Sequence, residues 1–383
     1  MQAQELTLFV KMIMWIALIG CMILLVLGGI LYLTFRSTKF AFVQKLSGGR
    51  KWLSRLICFV FYLALAGLLW AVWNLMNALV CLIHLLLFWI LCDVIAWIIS
   101  KLRRRRPRFY WAGLAAAVLC VLYLAWGWYS LHHVRQQSYT LETPKSVGSI
   151  RIIQIADSHL GTALTAKELS DYIDEISQLS PDVIVVTGDF VDDDTPREEM
   201  LAGCDALGRA RATYGVFFVF GNHDKGYYSE SARGWTNREL YERLQKNGVF
   251  VLEDEVRLIN DRFYIVGRKD RSEEQRSHGR VSAEELLHGL DPDHYIVILD
   301  HQPYDFDGEA SAGADLVLCG HTHGGQFIPI NHVGEWIGEN ALVYGLGKRQ
   351  GTNFIVTSGI SNWAFQFKTG CWSEYVVIDI NQK

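Results

Sequence analysis

Carboxylates are almost missing from the first third of this 383-residue chain: Met1–Val134 contains Glu5 and Asp93 and no other acidic residue. The same stretch holds 13 lysines and arginines, a net charge of +11, whereas Arg135–Lys383 carries 23 basic and 38 acidic residues, a net −15. The formal charge of −4 therefore averages two unlike objects, and the length permits two or more domains. The acidic part lacks the clustered Lys and Arg that phosphate-backbone binding requires, which argues against a nucleic-acid partner. Paired cysteine spacing is also lacking. Cys21, Cys58, Cys81, Cys92 and Cys120 lie in the first part and only Cys204, Cys319 and Cys371 in the second. Three unpaired cysteines exclude a disulfide framework and leave room for one bridge at most. With 51% hydrophobic residues, the chain is neither disordered nor a single water-soluble globule.

No Lys, Arg, Asp or Glu occurs between Leu56 and Cys92. Four apolar stretches (Leu8–Phe35, Leu56–Leu75, Ala78–Ile99 and Tyr110–Tyr129) approach the roughly 20 residues that a helix needs to cross a bilayer. The second and third, separated only around Asn74 and Asn77, read as a helical hairpin. The first is too long for a signal-peptide core and lacks a small-residue cleavage site, so it reads as uncleaved. Arg36, Lys39, Lys45, Arg50, Lys51 and Arg55 fall in the first loop; Lys101, Arg103–Arg106 and Arg108 fall between the third and fourth spans. The positive-inside rule assigns both loops to the cytoplasm. Everything after Tyr129 then lies outside it, with Trp126, Trp128 and Tyr129 as an interfacial aromatic anchor. A re-entrant hairpin would reverse that orientation. The expectation is a multi-pass protein of the inner (plasma) membrane in contact with its lipids, organised as an anchor over 1–134, a linker over 135–148 and an extracytoplasmic domain over 149–383. His84 and Asp93 are the ionisable residues of the middle spans. Asp93 reads as an interfacial partner of the nearby arginine run, itself a topology signal compatible with anionic-lipid contact.

From Ser149 the pattern becomes short β-rich runs alternating with helical stretches, an α/β or mixed domain. Thr165 with Glu168, Thr236 with Glu239 and Ser282 with Glu285 have capping-box spacing at helix starts. Five apolar runs end in polar clusters. Ile150–Ala156 leads to Asp157 and His159, Val183–Thr187 to Gly188 and Asp189, and Val216–Phe220 to Gly221-Asn222-His223-Asp224. Tyr295–Leu299 leads to Asp300 and His301, and Asp315–Cys319 to Gly320-His321-Thr322-His323. One such cluster is ordinary turn chemistry; five at successive strand ends are not, because that edge of an α/β sheet is where ligands bind. Oxygen and imidazole donors without thiolate suit Mn, Fe or Zn. The donors outnumber the needs of one ion, and two ions sharing a bridging carboxylate would use them all.

The set Asp157-Ser158-His159, Gly188-Asp189, Gly221-Asn222-His223-Asp224, His301 and Gly320-His321-Thr322-His323 resembles, in order and spacing, the calcineurin-like metallophosphoesterases, over roughly Ser149–Ile380. The run GHTHGGQF from Gly320 to Phe327 is similar to the bacterial branch that carries N-terminal transmembrane segments. The resemblance implies a sandwich of two mixed sheets flanked by helices and a metal-dependent phosphoester hydrolase. It also implies Asp157, His159 and His323 on a first divalent metal, Asn222, His301 and His321 on a second, and Asp189 bridging them. His223 would be the catalytic histidine beside the metals, with Asp224 orienting it. Two ions would activate water and draw charge from the phosphoryl oxygens. Gly221, Gly320, Gly324 and Gly325 would admit close backbone approach or simply form turns. Asp192-Asp193-Asp194 reads as a solvated loop. Tyr227, Tyr228, Trp235, Phe327, Trp336 and Trp363 are loop aromatics that either pack or hold an apolar substrate portion. The substrate expected is a phosphomono- or diester, lipid-linked or envelope-derived. The alternatives are a UDP-diacylglucosamine-type pyrophosphate hydrolase at the cytoplasmic face and a catalytically silent, membrane-tethered metal-binding protein.

Overall fold

The computed structural model describes residues 24–105, 107, 109–227, 229–275 and 279–383, and the chain divides into two compact units, Met1–Ala125 and Trp126–Lys383. Residues 8–23 of the first expected span, Cys21, Arg106, Arg108 and Tyr228 lie outside the described residues.

In the first unit, α1 (Leu24–Ser37) is followed by α2 (Ala41–Leu46), α3 (Lys51–Val72), α4 (Leu75–Arg103) and α5 (Trp111–His132), whose last turns belong to the second unit. The sequence predicts four spans; among the described residues three helices, α3, α4 and α5, are long and apolar enough to cross a membrane. The hairpin break falls three residues earlier than expected because Asn74 caps α4: its Oδ1 accepts the Asn77 backbone N–H at 2.9 Å, which draws Leu75 to Asn77 into the first turn. Ile30 and Leu33 of α1, Tyr62 of α3, Trp89 of α4 and Ala116 of α5 share one buried cluster. Many leucines, phenylalanines and tryptophans of α3 and α4 face outward, an arrangement suited to lipid rather than water. Among the described residues Asp93 pairs with Arg36 and not with Arg103, Arg104 or Arg105, and it also accepts from Tyr32 Oη at 2.6 Å and Tyr110 Oη at 2.9 Å. His84 contacts its own helix, Nδ1 lying 2.8 Å from the Val80 carbonyl.

In the second unit the strands are β1 (Arg135–Thr143), β2 (Ser149–Ile155), β3 (Val183–Thr187), β4 (Val216–Val219), β5 (Phe250–Val251), β6 (Glu255–Ile259), β7 (Phe263–Gly267), β8 (Tyr295–Leu299), β9 (Leu316–Cys319), β10 (Gly345–Arg349), β11 (Thr352–Val356) and β12 (Glu374–Gln382). They form two six-stranded mixed sheets, β1-β12-β2-β3-β4-β5 and β10-β11-β9-β8-β7-β6. Alternate side chains of the buried strands serve two layers, the consequence of a period of two. Ile152, Val183, Val185 and Phe217 of the first sheet meet Ile265, Val297, Leu299 and Leu316 of the second. Ile153, Ile184, Val186 and Phe218 face Leu169, Ile173 and Ile176 of α6 (Ala166–Gln178) and Met200, Cys204 and Leu207 of α7 (Arg197–Gly208). Ile296, Ile298, Val317 and Phe354 cover the other outer face together with Phe306 and Ala310. Thr165 and Glu168 make a reciprocal capping box at α6, while Thr236 and Ser282 each cap one backbone N–H.

One expectation fails here. Arg135–Thr143, read as part of a linker, is the edge strand β1, paired in parallel with β12 from Arg135↔Glu374 to Thr143↔Gln382. Its polar alternation, Gln136-Gln137-Ser138-Tyr139, suits a half-covered edge rather than a buried strand, so it carries little apolar signal.

Candidate metal centre

Strands β2, β3 and β4 run parallel in the first sheet, and β8 and β9 run parallel in the second. Their C-terminal ends therefore emerge on one edge of each layer. Gln154, fully buried in β2, ties the two edges together by donating to Thr187 Oγ1 and to the Cys319 carbonyl, both at 2.9 Å.

All seven sequence-predicted ligands converge there. Asp157, His159 and His323 each offer one ligand atom within 4.8 Å of the others, and so do Asp189, His301 and His321. Asp189 Oδ2 lies 3.2 Å from His301 Nε2 and 3.6 Å from His159 Nε2, so one carboxylate faces both clusters. Asn222 Oδ1 is 3.1 Å from His301 Nε2. The backbone is bent to achieve this: Asp157, His159, Asp189, His321 and His323 have φ of 55, 39, 51, 72 and 50°. Left-handed conformation is uncommon outside glycine and clusters at functional sites. Gly221 and Gly320 admit the close approach that these turns need; a Cβ would fall 2.2 Å from Asp189 Oδ1 in one and 2.6 Å from Asp157 Oδ2 in the other. Gly324 and Gly325, with φ of 59 and 73°, serve the turn after His323.

The donors fit divalent metal. His159 Nε2, His321 Nδ1 and His323 Nδ1 are buried without a hydrogen-bond partner, a costly state for a ring nitrogen unless it ligates; His159 Nδ1 faces Asp192 Oδ2 at 3.4 Å. Burial, together with the charge of His301, pushes the His321 pKa down to about 3, and burial beside His159 holds His323 well below its usual range. Both rings are thus kept neutral, the state that binds metal. Burial opposes the charges on Asp189 and His301, but their mutual attraction prevails: Asp189 sits well below the usual carboxylate range and His301 well above that of histidine. Burial raises Asp157 to about 6, with the Asp189 charge acting in the same direction. Among the described residues no thiolate takes part; Cys371 donates its S–H to the His323 carbonyl at 3.1 Å.

The structure reassigns the partner of His223. Asp224 does not touch the ring. Its Oδ1 accepts the Phe190 and Val191 N–H groups at 2.8 and 3.0 Å, and its Oδ2 accepts that of Gly221 at 2.7 Å, so it pins two strand-end loops. Asp192 meets the ring instead, Oδ1 to Nδ1 at 3.0 Å. A carboxylate only accepts here, so Nδ1 carries the proton. Burial opposes ionisation of both groups, yet contact with His159 and with His223 lowers the Asp192 pKa, and Asp192 raises that of His223. Asp192 and Asp193 are not a solvated loop: both are buried, and Asp193 accepts the Tyr227 N–H at 2.9 and 3.0 Å. The available signal was Asp192 itself, three residues beyond Asp189 on the same strand end. Asp300, adjacent to His301, turns away into an ion-pair cluster with Arg268, Arg280 and Glu309. Trp235 is buried packing, Tyr227 Oη accepts from Asn222 Nδ2 at 2.9 Å, and the Trp363 ring stands 5.2 Å from that of His223.

A conserved-domain description, calcineurin-like phosphoesterase, matches residues 150–325. An uncharacterised metallophosphoesterase of Aquifex aeolicus (strain VF5) is 34% identical over 212 residues, 54% of this chain and 76% of that protein. A Danio rerio protein named as a transmembrane protein with metallophosphoesterase domain is 28% identical over 251 residues, 62% of this chain and 55% of that protein. The chain spans about half the length of the transmembrane relatives that it matches. The structure of a dimetal phosphatase from Danio rerio aligns with a TM-score of 0.35 at 14% identity, over 55% of this chain and 87% of that one, a superposition too loose to bear on the reaction. The chain belongs to the calcineurin-like metallophosphoesterase family, a class of metal-dependent phosphoester hydrolases.

Proposed function

We propose that the chain is a membrane-anchored phosphoesterase whose acidic unit hydrolyses a phosphomono- or diester, lipid-linked or envelope-derived, with two divalent ions of the Mn, Fe or Zn kind. The observation that carries this reading is Asp189, a buried carboxylate facing both ligand clusters through one oxygen. Asp157, His159 and His323 would hold one ion, Asn222, His301 and His321 the other, and Asp189 both. When bound, such ions lower the pKa of water toward neutrality and offset the charge of phosphoryl oxygens. His223 supplies the remaining proton chemistry. With Nδ1–H committed to Asp192, Nε2 is the nitrogen left to donate to a phosphoryl oxygen or to the departing alkoxide. Asp224 keeps the two loops that carry Asp189 and His223 in register. The basic loops at Arg36–Arg55 and Lys101–Arg108 support an inner-membrane protein with this unit outside the cytoplasm.

Purified full-length protein is expected to hydrolyse aryl phosphate mono- or diesters with Mn, and Asp189→Ala and His223→Ala to abolish turnover. A wild type inert toward several esters with Mn, Fe and Zn would overturn the enzymatic reading and leave a tethered metal-binding protein. A reporter fused after Lys383, active on one side of the membrane only, tests the orientation.

A further inference from the structure

Among the described residues, the large apolar side chains exposed after Tyr129 are concentrated: Ile328, Ile330, Val333, Trp336 and Ile337 fall within ten residues. Trp336 and Ile337 are 73% and 71% exposed. A water-facing domain scatters such groups, and a concentration of them marks a binding surface. Charge does not explain it. Residues 327–338 contain no lysine or arginine and one carboxylate, Glu335, whose oxygens already meet the Val343 N–H at 2.7 Å and His332 Nδ1 at 3.0 Å.

The surroundings identify what covers the segment. The last turns of α5 lie in the second unit, and Gly127 and Ser130 accept there from the backbone N–H groups of Lys368 and Ser373, at 2.9 and 3.1 Å. Trp372 packs on Trp126 and Tyr129, with ring centroids 4.9 and 5.7 Å apart. One residue beyond Lys368, the N–H groups of Thr369 and Gly370 donate to the Gln326 carbonyl at 2.8 and 3.0 Å, immediately before the apolar segment. Two short hydrogen-bonded steps thus link the segment to the end of a helix long enough to cross a bilayer, an end ringed by half-exposed Trp126, Trp128 and Tyr129. Such residues settle at the headgroup level. A ring series runs the other way, from Phe327 to Phe365 at 5.2 Å, to Trp363 at 6.3 Å and to His223 at 5.2 Å.

We propose that Phe327–Ile337 is an interfacial foot that inserts Ile330, Trp336 and Ile337 into the bilayer surface beside the exit of α5. Insertion is driven by apolar burial rather than by anionic headgroups. One consequence rests on the phosphoesterase reading: the metal centre opens beside the lipid surface and takes a phosphoester whose organic part stays in the bilayer.

The test uses full-length protein in phosphatidylcholine vesicles, with a polarity-sensitive thiol fluorophore at Trp336→Cys, at Ile330→Cys and, as reference, at exposed Asp293→Cys. The foot requires blue-shifted emission and at least severalfold stronger quenching by spin-labelled lipid at positions 330 and 336 than at 293, unchanged when phosphatidylglycerol is added. Equal quenching at all three sites overturns the proposal. Separately, a Trp336→Ser/Ile330→Ser variant is expected to keep wild-type turnover of a water-soluble aryl phosphate and to lose roughly tenfold or more on a lipid-borne phosphoester, since two large side chains no longer leave water. Wild-type turnover of the lipid-borne ester by that variant overturns the substrate consequence. Failure of the wild type on both esters overturns the phosphoesterase reading, while the quenching result stands or falls independently.

Discussion

Replacing Asp192 by asparagine separates the group that orients His223 from its sequence neighbour Asp224. The substitution preserves size and an oxygen acceptor but removes the charge that faces His223 Nδ1 at 3.0 Å. A hydrogen bond to a charged partner contributes about 1.5–3 kcal/mol, against about 1 kcal/mol for a neutral pair. The loss in the transition state should therefore be roughly 0.5–2 kcal/mol, about 2- to 30-fold in kcat. The deficit should grow with the basicity of the leaving group, because an alkoxide needs the proton that a nitrophenolate does not. The assay is kcat across a series of aryl and alkyl phosphates for wild type, Asp192→Asn and Asp224→Asn. Asp224→Asn should instead lower thermal stability, since the amide cannot serve the N–H groups of Phe190, Val191 and Gly221 as the carboxylate does, and it should leave the leaving-group dependence of its folded fraction unchanged. Wild-type kcat for Asp192→Asn throughout the series, with Asp224→Asn showing instead the deficit that grows with leaving-group basicity, would refute the assignment.

Gly221→Ala would place a methyl 2.2 Å from Asp189 Oδ1; bound metal per chain should fall together with activity, as measured by elemental analysis after gel filtration. Arg268, buried among Asp300, Asp305 and Glu309 at 3.2, 3.1 and 2.9 Å, tests the ion-pair cluster. Arg268→Met breaks a buried ion pair while Asp300 keeps Arg280, so the cost should stay at or below about 3 kcal/mol and Tm should fall by several degrees in calorimetry. Chelation should also lower Tm. Metal at 100 times its Kd stabilises by about 2.7 kcal/mol per site, so a Tm indifferent to chelator and to re-added Mn would contradict the proposed centre.

Strand ends were legible because their signals are local. An apolar β-branched run followed by a short polar cluster needs no partner to be recognised, and β3 and β8 have the expected limits, Val183–Thr187 and Tyr295–Leu299. Helices long and apolar enough to cross a membrane were legible for the same reason, since length and apolarity belong to one segment, although Asn74 displaced a boundary by acting as a cap. Long-range choices left no such trace. Whether Asp93 pairs with Arg36 or with the arginine run depends on how helices pack. The polar strand β1 exists because β12 offers an edge, and its own residues do not demand it.

The order of Asp157, His159, Asp189, Asn222, His301, His321 and His323 along the chain sufficed to single out the candidate ligands, because each must follow a buried strand to reach the sheet edge. Only the tertiary structure decided which carboxylate serves His223. Asp192 and Asp224 both follow strand ends, and the outcome depends on the direction in which each loop turns after its strand: Asp224 turns inward onto three backbone N–H groups, and Asp192 turns toward the imidazole. Direction after a strand end is set by backbone dihedrals and by packing across two sheets, quantities that residue types and spacing do not contain.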